Sequence, residues 1–135
     1  MGIEVHIQAQ DNASFLTLGH ETYGEQWKDL QLFFQSFIGG GDPYYALVWF
    51  TRQQLGIWNW ERFASEEFDR LSTEALATTD PGQRARMYQR MQDLMEASGC
   101  YRFITNGVMP QIFRKSISPG FKPDGYPILR AFRPT

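Results

Sequence analysis

The sequence predicts an α/β fold, a single lobe in which a mixed sheet is flanked by helices. Three observations carry this. Ile3, Val5 and Ile7 alternate with Glu4, His6 and Gln8, the period of two of a strand with one buried face. Leu30 to Gln35 reads as a second, more buried strand, and a helical pattern from Asp11 or Asn12 lies between them. Strand, helix, strand is the minimal unit of a parallel pair with a right-handed crossover. Finally, two well-capped helices follow in the second half of the chain.

The elements follow in order. The first helix carries Phe15, Leu16 and Leu18 on its face and is expected to run to about Tyr23 or Trp27, weakened by Gly19 and Gly24. Gly39-Gly40-Gly41-Asp42-Pro43 is the sharpest break, because three glycines hold neither helix nor strand cheaply. Asp42 as cap and Pro43 in the first turn restart a helix over Tyr44 to about Phe50. Gly56 to Arg62, with Trp58-Asn59-Trp60, reads as an aromatic loop. Ser65 caps a helix whose first turn holds Glu66 and Glu67, favourable toward the helix dipole, and whose apolar stripe is Phe68, Leu71 and Ala75. Asp80-Pro81-Gly82-Gln83 opens the next helix. Met87, Tyr88, Met91, Leu94 and Met95 form its apolar face, and Gly99 is its stop. Tyr101 to Thr105 and Met109 to Arg114 read as strands around Asn106-Gly107. A proline-punctuated turn region, 119–127, precedes a last strand over Ile128 to Phe132. No internal repeat, low-complexity tract or linker divides the 135 residues, so one domain is expected.

Composition narrows the function classes. With 13 basic and 15 acidic residues there is no broad basic excess for a phosphate backbone, and nucleic acid is not an expected partner. Arg84, Arg86 and Arg90 read as a solvated helix surface, with Asp93 and Glu96 following. No apolar run approaches the roughly 20 residues of a membrane span, and neither a basic n-region nor an apolar h-region opens the sequence, so no export signal is expected in it. A single cysteine excludes an internal disulfide.

Candidate chemistry is sparse. His6 and His20 have no ligand spacing, so no metal or other cofactor is expected. Cys100 follows a helix C-terminus, the end that does not lower a thiol pKa, and reads as a structural, partly buried thiol. The triple glycine sits where phosphate cradles sit, but matches neither Gly-rich fingerprint and presents Asp42 to an anion. Paired carboxylates, Glu66 with Glu67 or Asp42 with Glu61, have no fixed separation that would mark acid–base work. No catalytic residue is assigned and the chain reads as a non-enzyme. What remains is aromatic: Phe, Tyr and Trp make up 16% of the residues, and nine of them gather between 33 and 60 around the glycine break. Most are expected in the core. Glycines allow close approach of a ligand, and strand ends in α/β sheets are where ligands bind. The candidate ligand contacts are Gln35, Ser36, Phe37, Gly39 and Gly40, followed by Tyr44, Trp58 and Trp60.

The stretch Ser65-Glu66-Glu67-Phe68-Asp69-Arg70-Leu71, then Ala75 and Thr78-Thr79-Asp80-Pro81-Gly82-Gln83-Arg84-Ala85-Arg86-Met87-Tyr88, resembles a recurrent signature of ABC-transporter solute-binding proteins of the peptide/nickel/opine class, the dipeptide- and oligopeptide-binding proteins and their relatives. Gly2-Ile3-Glu4-Val5 through Phe15-Leu16, Phe37 to Pro43, and Tyr101 to Lys115 with Gly120-Phe121-Lys122-Pro123 resemble other segments of that family in the same order, covering nearly the whole chain. The resemblance implies a periplasmic-binding-protein-like fold, of which residues 1–135 would be a partial lobe, the C-terminal part of a longer two-lobe protein. It implies periplasmic, extracytoplasmic binding of a peptide, opine, sugar or similar polar solute, no catalytic residues, and delivery to a membrane permease. The expected partners are that solute, the permease, the N-terminal lobe and, through the face left uncovered, a second copy of the chain. One position departs from the family. Where its peptide binders place an aspartate for the ligand's ammonium, this chain aligns Gly39, and Asp42 aligns with the second aspartate of the family's Asp-Tyr-Pro-Asp-Pro loop. A buried ammonium without a counter-ion is costly, which points away from peptides with a free N-terminus and toward a sugar or an opine-like conjugate held by aromatic faces and by Gln35, Ser36 and Asn59. The alternatives are a free-standing binding or scaffold domain derived from that family and a small α/β enzyme using the Gly39–Gly41 loop.

Overall fold

The structure, a computed structural model, describes residues 2, 4–36, 40–104, 110–122 and 125–135. Among them are four α-helices and one two-stranded antiparallel sheet: α1 (Asn12–Leu18), α2 (Tyr44–Leu47), α3 (Glu66–Ala77), α4 (Pro81–Ala97), β1 (Ile117–Ser118) and β2 (Arg133–Pro134). Short 3-10 turns over Glu21–Tyr23, Gln26–Asp29, Val48–Phe50, Arg52–Gln54 and Leu129–Ala131 link them.

The second half of the chain folds as its caps require. The Ser65 hydroxyl accepts from the Phe68 N–H at 3.2 Å, and an Asp80 carboxylate oxygen accepts from the Gln83 N–H at 2.7 Å. Each satisfies a backbone donor that the first helical turn leaves without an intrahelical partner. Gly99, at φ +74°, takes the left-handed conformation beyond the end of α4. α3 and α4 pack as a helical hairpin, burying Phe68, Leu71, Ser72 and Ala75 from one side and Tyr88, Met91 and Met95 from the other. Leu47 and Phe50 from α2 and the turn after it, Phe63 and Tyr101 complete the core. Phe63 meets Phe68 edge to face at 5.2 Å, and Tyr101 meets Phe50 at 5.1 Å in the same way. Unbranched Met91 and Met95, both fully buried, belong to the same core cluster as these rings.

The first half departs from the sequence reading. Residues 4–10 and 31–36 run without a backbone ladder, so the strand–helix–strand unit and the mixed sheet are not formed among the described residues. Several apolar side chains of these segments lie open: Ile7 is 89% exposed, Leu32 75% and Phe34 72%. Period-two alternation records which face a partner strand would cover, and no strand pairs with these segments among the described residues. Phe33 alone of the three side chains Leu32, Phe33 and Phe34 finds cover, against Phe15 and Trp60. α1 stops at Leu18 because Gly19 ends it and the indole of Trp60 packs directly on Gly19. Described residues 101–104 and 110–114 are not strands either, and Phe103, Ile104, Ile112 and Phe113 are exposed. The turn at Asn106-Gly107 lies outside the described residues. The last strand forms later than expected: a 3-10 turn occupies Leu129–Ala131, and Arg133–Pro134 pairs with Ile117–Ser118 in the register Ile117 to Pro134 and Ser118 to Arg133.

Candidate functional site

The aromatic loop 55–62 is built around Asn59. Its carboxamide nitrogen donates to the carbonyls of Phe50, Thr51 and Phe63 at 3.1, 3.1 and 2.7 Å, and its oxygen accepts from the Phe63 N–H at 3.0 Å. Asn59 is fully buried. The structure therefore corrects the expectation that it contacts a ligand: all its polar atoms are engaged in holding the loop against the end of the α2 segment. Gly56, at φ +76°, lets the loop turn with its amide region under the Glu21 carboxylate, a position where a Cβ would come within 2.7 Å of that group. Arg62 adopts a left-handed φ of 56°, rare for a side-chain-bearing residue. Its guanidinium pairs with Glu21 and lies 4.9 Å from the Trp27 ring centroid, tying residues 20–29 to the loop.

Among the described residues, the predicted contacts do not converge on one place. Phe37 and Gly39 lie outside the described residues. Gln35 is half-buried, while Ser36 and Gly40 are exposed. Trp60 is packed: its ring stands 5.4 Å from Phe15 and 5.2 Å from Phe33, and its indole N–H donates to the Ile57 carbonyl at 2.8 Å. Trp58 stands edge-on to Trp49 at 5.9 Å and to His20 at 6.2 Å. Of the six that are described, Tyr44 alone lines the groove described below.

Asp42, at the end of the glycine run, is a clamp. Its carboxylate accepts from the Tyr44 N–H at 2.9 Å, from an Arg84 guanidinium N–H at 2.6 Å and from the Tyr88 hydroxyl at 3.2 Å. The Tyr44 amide and then the Arg84 guanidinium hold its carboxyl below the ordinary aspartate range. Arg84 also donates through Nε to the Ala75 carbonyl at 2.8 Å, so one guanidinium joins the glycine loop, the end of α3 and the start of α4. Arg90 makes a two-pronged pair with Glu67 at 2.8 and 2.9 Å across the helical hairpin, and this holds the Glu67 carboxyl low. The basic residues on α4 are thus not uniformly a solvated surface: Arg84 and Arg90 are structural, and Arg86 is exposed.

The imagined carboxylate pairs separate. Glu66 turns to Arg52 at 3.5 Å and Glu67 to Arg90. Glu61 is half-buried and accepts from the Tyr101 hydroxyl at 3.3 Å, away from the partners of Asp42. Burial raises the Glu61 carboxyl above its usual value, and burial beside that carboxylate raises the Tyr101 phenol. Cys100 is exposed, a correction to the partly buried thiol expected of it, because the chain leaves α4 through Gly99 on the surface. Among the described residues no cluster of three or more His, Cys, Asp or Glu side chains could hold a metal ion, and no helix is long and apolar enough to cross a membrane.

A groove of about 500 Å³ runs between the α2 segment and α3. Tyr44, Val48 and Leu76 form apolar walls; Thr51, Gln53, Ser72 and Thr73 contribute hydroxyls and a carboxamide. At one end the Asp69 carboxylate accepts from the Arg52 guanidinium and, at 3.1 Å, from the Arg52 backbone N–H. Sequence reasoning missed this groove. Its one legible trace was Ser72, which continues the buried stripe at four residues from Phe68. Comparison with family models, curated proteins and solved structures finds no match to this chain.

Proposed function

We propose that the chain is part of a solute-binding lobe of the periplasmic-binding-protein type, which holds a polar small molecule outside the cytoplasm and presents it to an ABC permease. The observation that carries this reading is the uncovered apolar surface. Val5, Ile7, Leu32, Phe34, Phe103, Ile104, Ile112 and Phe113 are exposed, and all fall in segments with strand patterning. Full burial of one such side chain contributes about 1.5–3 kcal/mol, so a chain that leaves eight of them open forgoes a large stabilisation. A surrounding sheet recovers it by placing each segment as a strand among others of the same lobe. The order of residues resembling the solute-binding family, from Gly2-Ile3-Glu4-Val5 through the Ser65–Tyr88 signature to Gly120-Phe121-Lys122, supports the same reading. In it, the helical hairpin and the Asn59 loop are the rigid back of the lobe, and the glycine run with Tyr44 faces the solute.

Calorimetric titration of the protein at the length its own cells make tests this. Dipeptides, their N-acetylated forms, opines and saccharides form the panel. Micromolar binding of one class supports the reading. Binding of none overturns it, and tight dipeptide binding that is lost on N-acetylation overturns the exclusion of ordinary peptides.

A further inference from the structure

We propose that the groove between α2 and α3 binds a neutral, hydroxyl-rich small molecule, a saccharide or polyol, with Ser72 and Gln53 as hydrogen-bonding contacts and Tyr44 as the ring against which it lies. The inference rests on the solute-binding reading for its supposition that the chain holds a small solute, and it moves the site from the glycine run to this groove.

Ser72 is the first support. It is 4% exposed and lines the groove, yet its hydroxyl has no hydrogen-bond partner among the described residues. A hydroxyl inside a helix commonly bonds back to the carbonyl four residues earlier. Thr73 does so to Asp69 at 3.2 Å, and Thr78 to Glu74 at 2.8 Å. Ser72 does not, so its donor and acceptor capacity is turned to whatever occupies the groove. Among the described residues no side-chain polar atom is both buried and unpartnered, so this hydroxyl reaches the solvent of the groove, where a ligand hydroxyl can take the place of water.

The second support is charge. The groove's charged residues are Arg52 and Asp69, one of each sign, already bonded to each other, with Glu66 also on Arg52. An ionic ligand would meet no uncommitted counter-charge and would lose its hydration without compensation. A neutral ligand meets no such penalty. The third is shape and lining. Six of the nine lining residues are polar or charged, and Tyr44, Val48 and Leu76 supply the apolar part of the wall; a space of about 500 Å³ so lined suits a hydroxyl-rich molecule better than an apolar one. Tyr44 offers a flat amphipathic ring with few rotamers to fix, suited to the C–H face of a pyranose.

Amide NMR titration of the chain with maltose tests this, with glycyl-leucine as a charged comparison. Maltose is expected to give saturable shifts at Gln53, Ser72 and Thr73. Ser72→Ala, which keeps the volume and removes the hydroxyl, should weaken the apparent affinity about threefold to tenfold with no loss of thermal stability. Leu76→Trp, at an exposed position on the groove wall, should abolish the shifts, and Gln92→Ala, on the exposed face of α4, should leave them unchanged. No saturable maltose shift, shifts indifferent to both groove substitutions, or tighter glycyl-leucine binding in the groove would each overturn the inference. Solute binding by the full-length protein without these groove shifts removes this inference and leaves the transport reading. Maltose binding in the groove by a protein that binds no solute at native length removes the transport reading and leaves this one.

Discussion

Replacing Asn59 by alanine tests the internal architecture most sharply. The carboxamide bonds to four backbone groups in two separate stretches, the carbonyls of Phe50 and Thr51 after α2 and both the carbonyl and the N–H of Phe63 before α3. Three carbonyls on one side and one N–H on the other fix which way it points, since only the nitrogen donates. Two N–H protons shared among three carbonyls, plus one accepted bond, amount to about three full hydrogen bonds. Each contributes about 1 kcal/mol net, and each group left buried without a partner costs about 1–3 kcal/mol. Allowing for water entering the cavity, Asn59→Ala should lose about 3–5 kcal/mol, a large share of the roughly 5–15 kcal/mol that stabilises a domain. Urea unfolding followed by tryptophan fluorescence reads this directly, because Trp49, Trp58 and Trp60 flank the loop. Asn59→Asp adds a sign to the test. It keeps the acceptor for Phe63 and turns the donors into a carboxyl facing three carbonyls, which raises its pKa in the folded state. Stability lent by a raised acid is present below its unfolded value of about 3.9 and is lost as pH rises through the folded one. Asn59→Asp should therefore approach wild type on acidification and fall away toward neutrality. A loss below about 1 kcal/mol for Asn59→Ala, at unchanged urea dependence, would refute the reasoning.

Three further outcomes follow from the same geometry. Glu61 has a raised carboxyl, so its contribution is most favourable below about pH 4.3 and is lost as pH rises through its folded value. Glu61→Gln, which keeps an acceptor for Tyr101, should raise the thermal midpoint at pH 7 and leave it nearly unchanged at pH 4, read by a melting series against pH. Gly19→Ala puts a methyl group into the Trp60 indole at an ordinary negative φ, so its cost is purely steric, about 1–3 kcal/mol in the denaturation midpoint. Asp80→Ala removes the cap of α4 and should cost about 1 kcal/mol in urea unfolding, while Asp80→Ser should recover most of it.

The helical hairpin was legible in the sequence because its signals are local. Ser65 and Asp80 act on an N–H three residues ahead, Gly99 on its own φ, and the stripes of Phe68, Leu71, Ala75 and Tyr88, Met91, Met95 need only the helical period to find each other. The strand readings failed for the complementary reason. Alternation at Val5 and Ile7, or at Leu32 and Phe34, specifies a buried face only when another strand supplies the cover, and no neighbouring residue encodes that partner. The site was legible least. Asn59 stands between two tryptophans, where a polar residue looks like a surface group, and its burial depends on carbonyls 4 to 9 residues away meeting it in space. Asp42 reads as the cap of the helix, but Pro43 takes that position; Asp42 stands one residue earlier and accepts from the Tyr44 N–H, and its bonds to Arg84 and Tyr88 join residues more than 40 positions apart. The groove needed both α2 and α3 in place before Tyr44 and Ser72 could be seen to share it.

The central claim is that this chain works as part of an extracytoplasmic solute-binding protein. An immunoblot of fractionated source cells, with antibody raised against these 135 residues, tests it most directly. The account predicts a band several times larger than 15.7 kDa in the periplasmic or envelope fraction. A band near 15.7 kDa confined to the cytoplasm would contradict it.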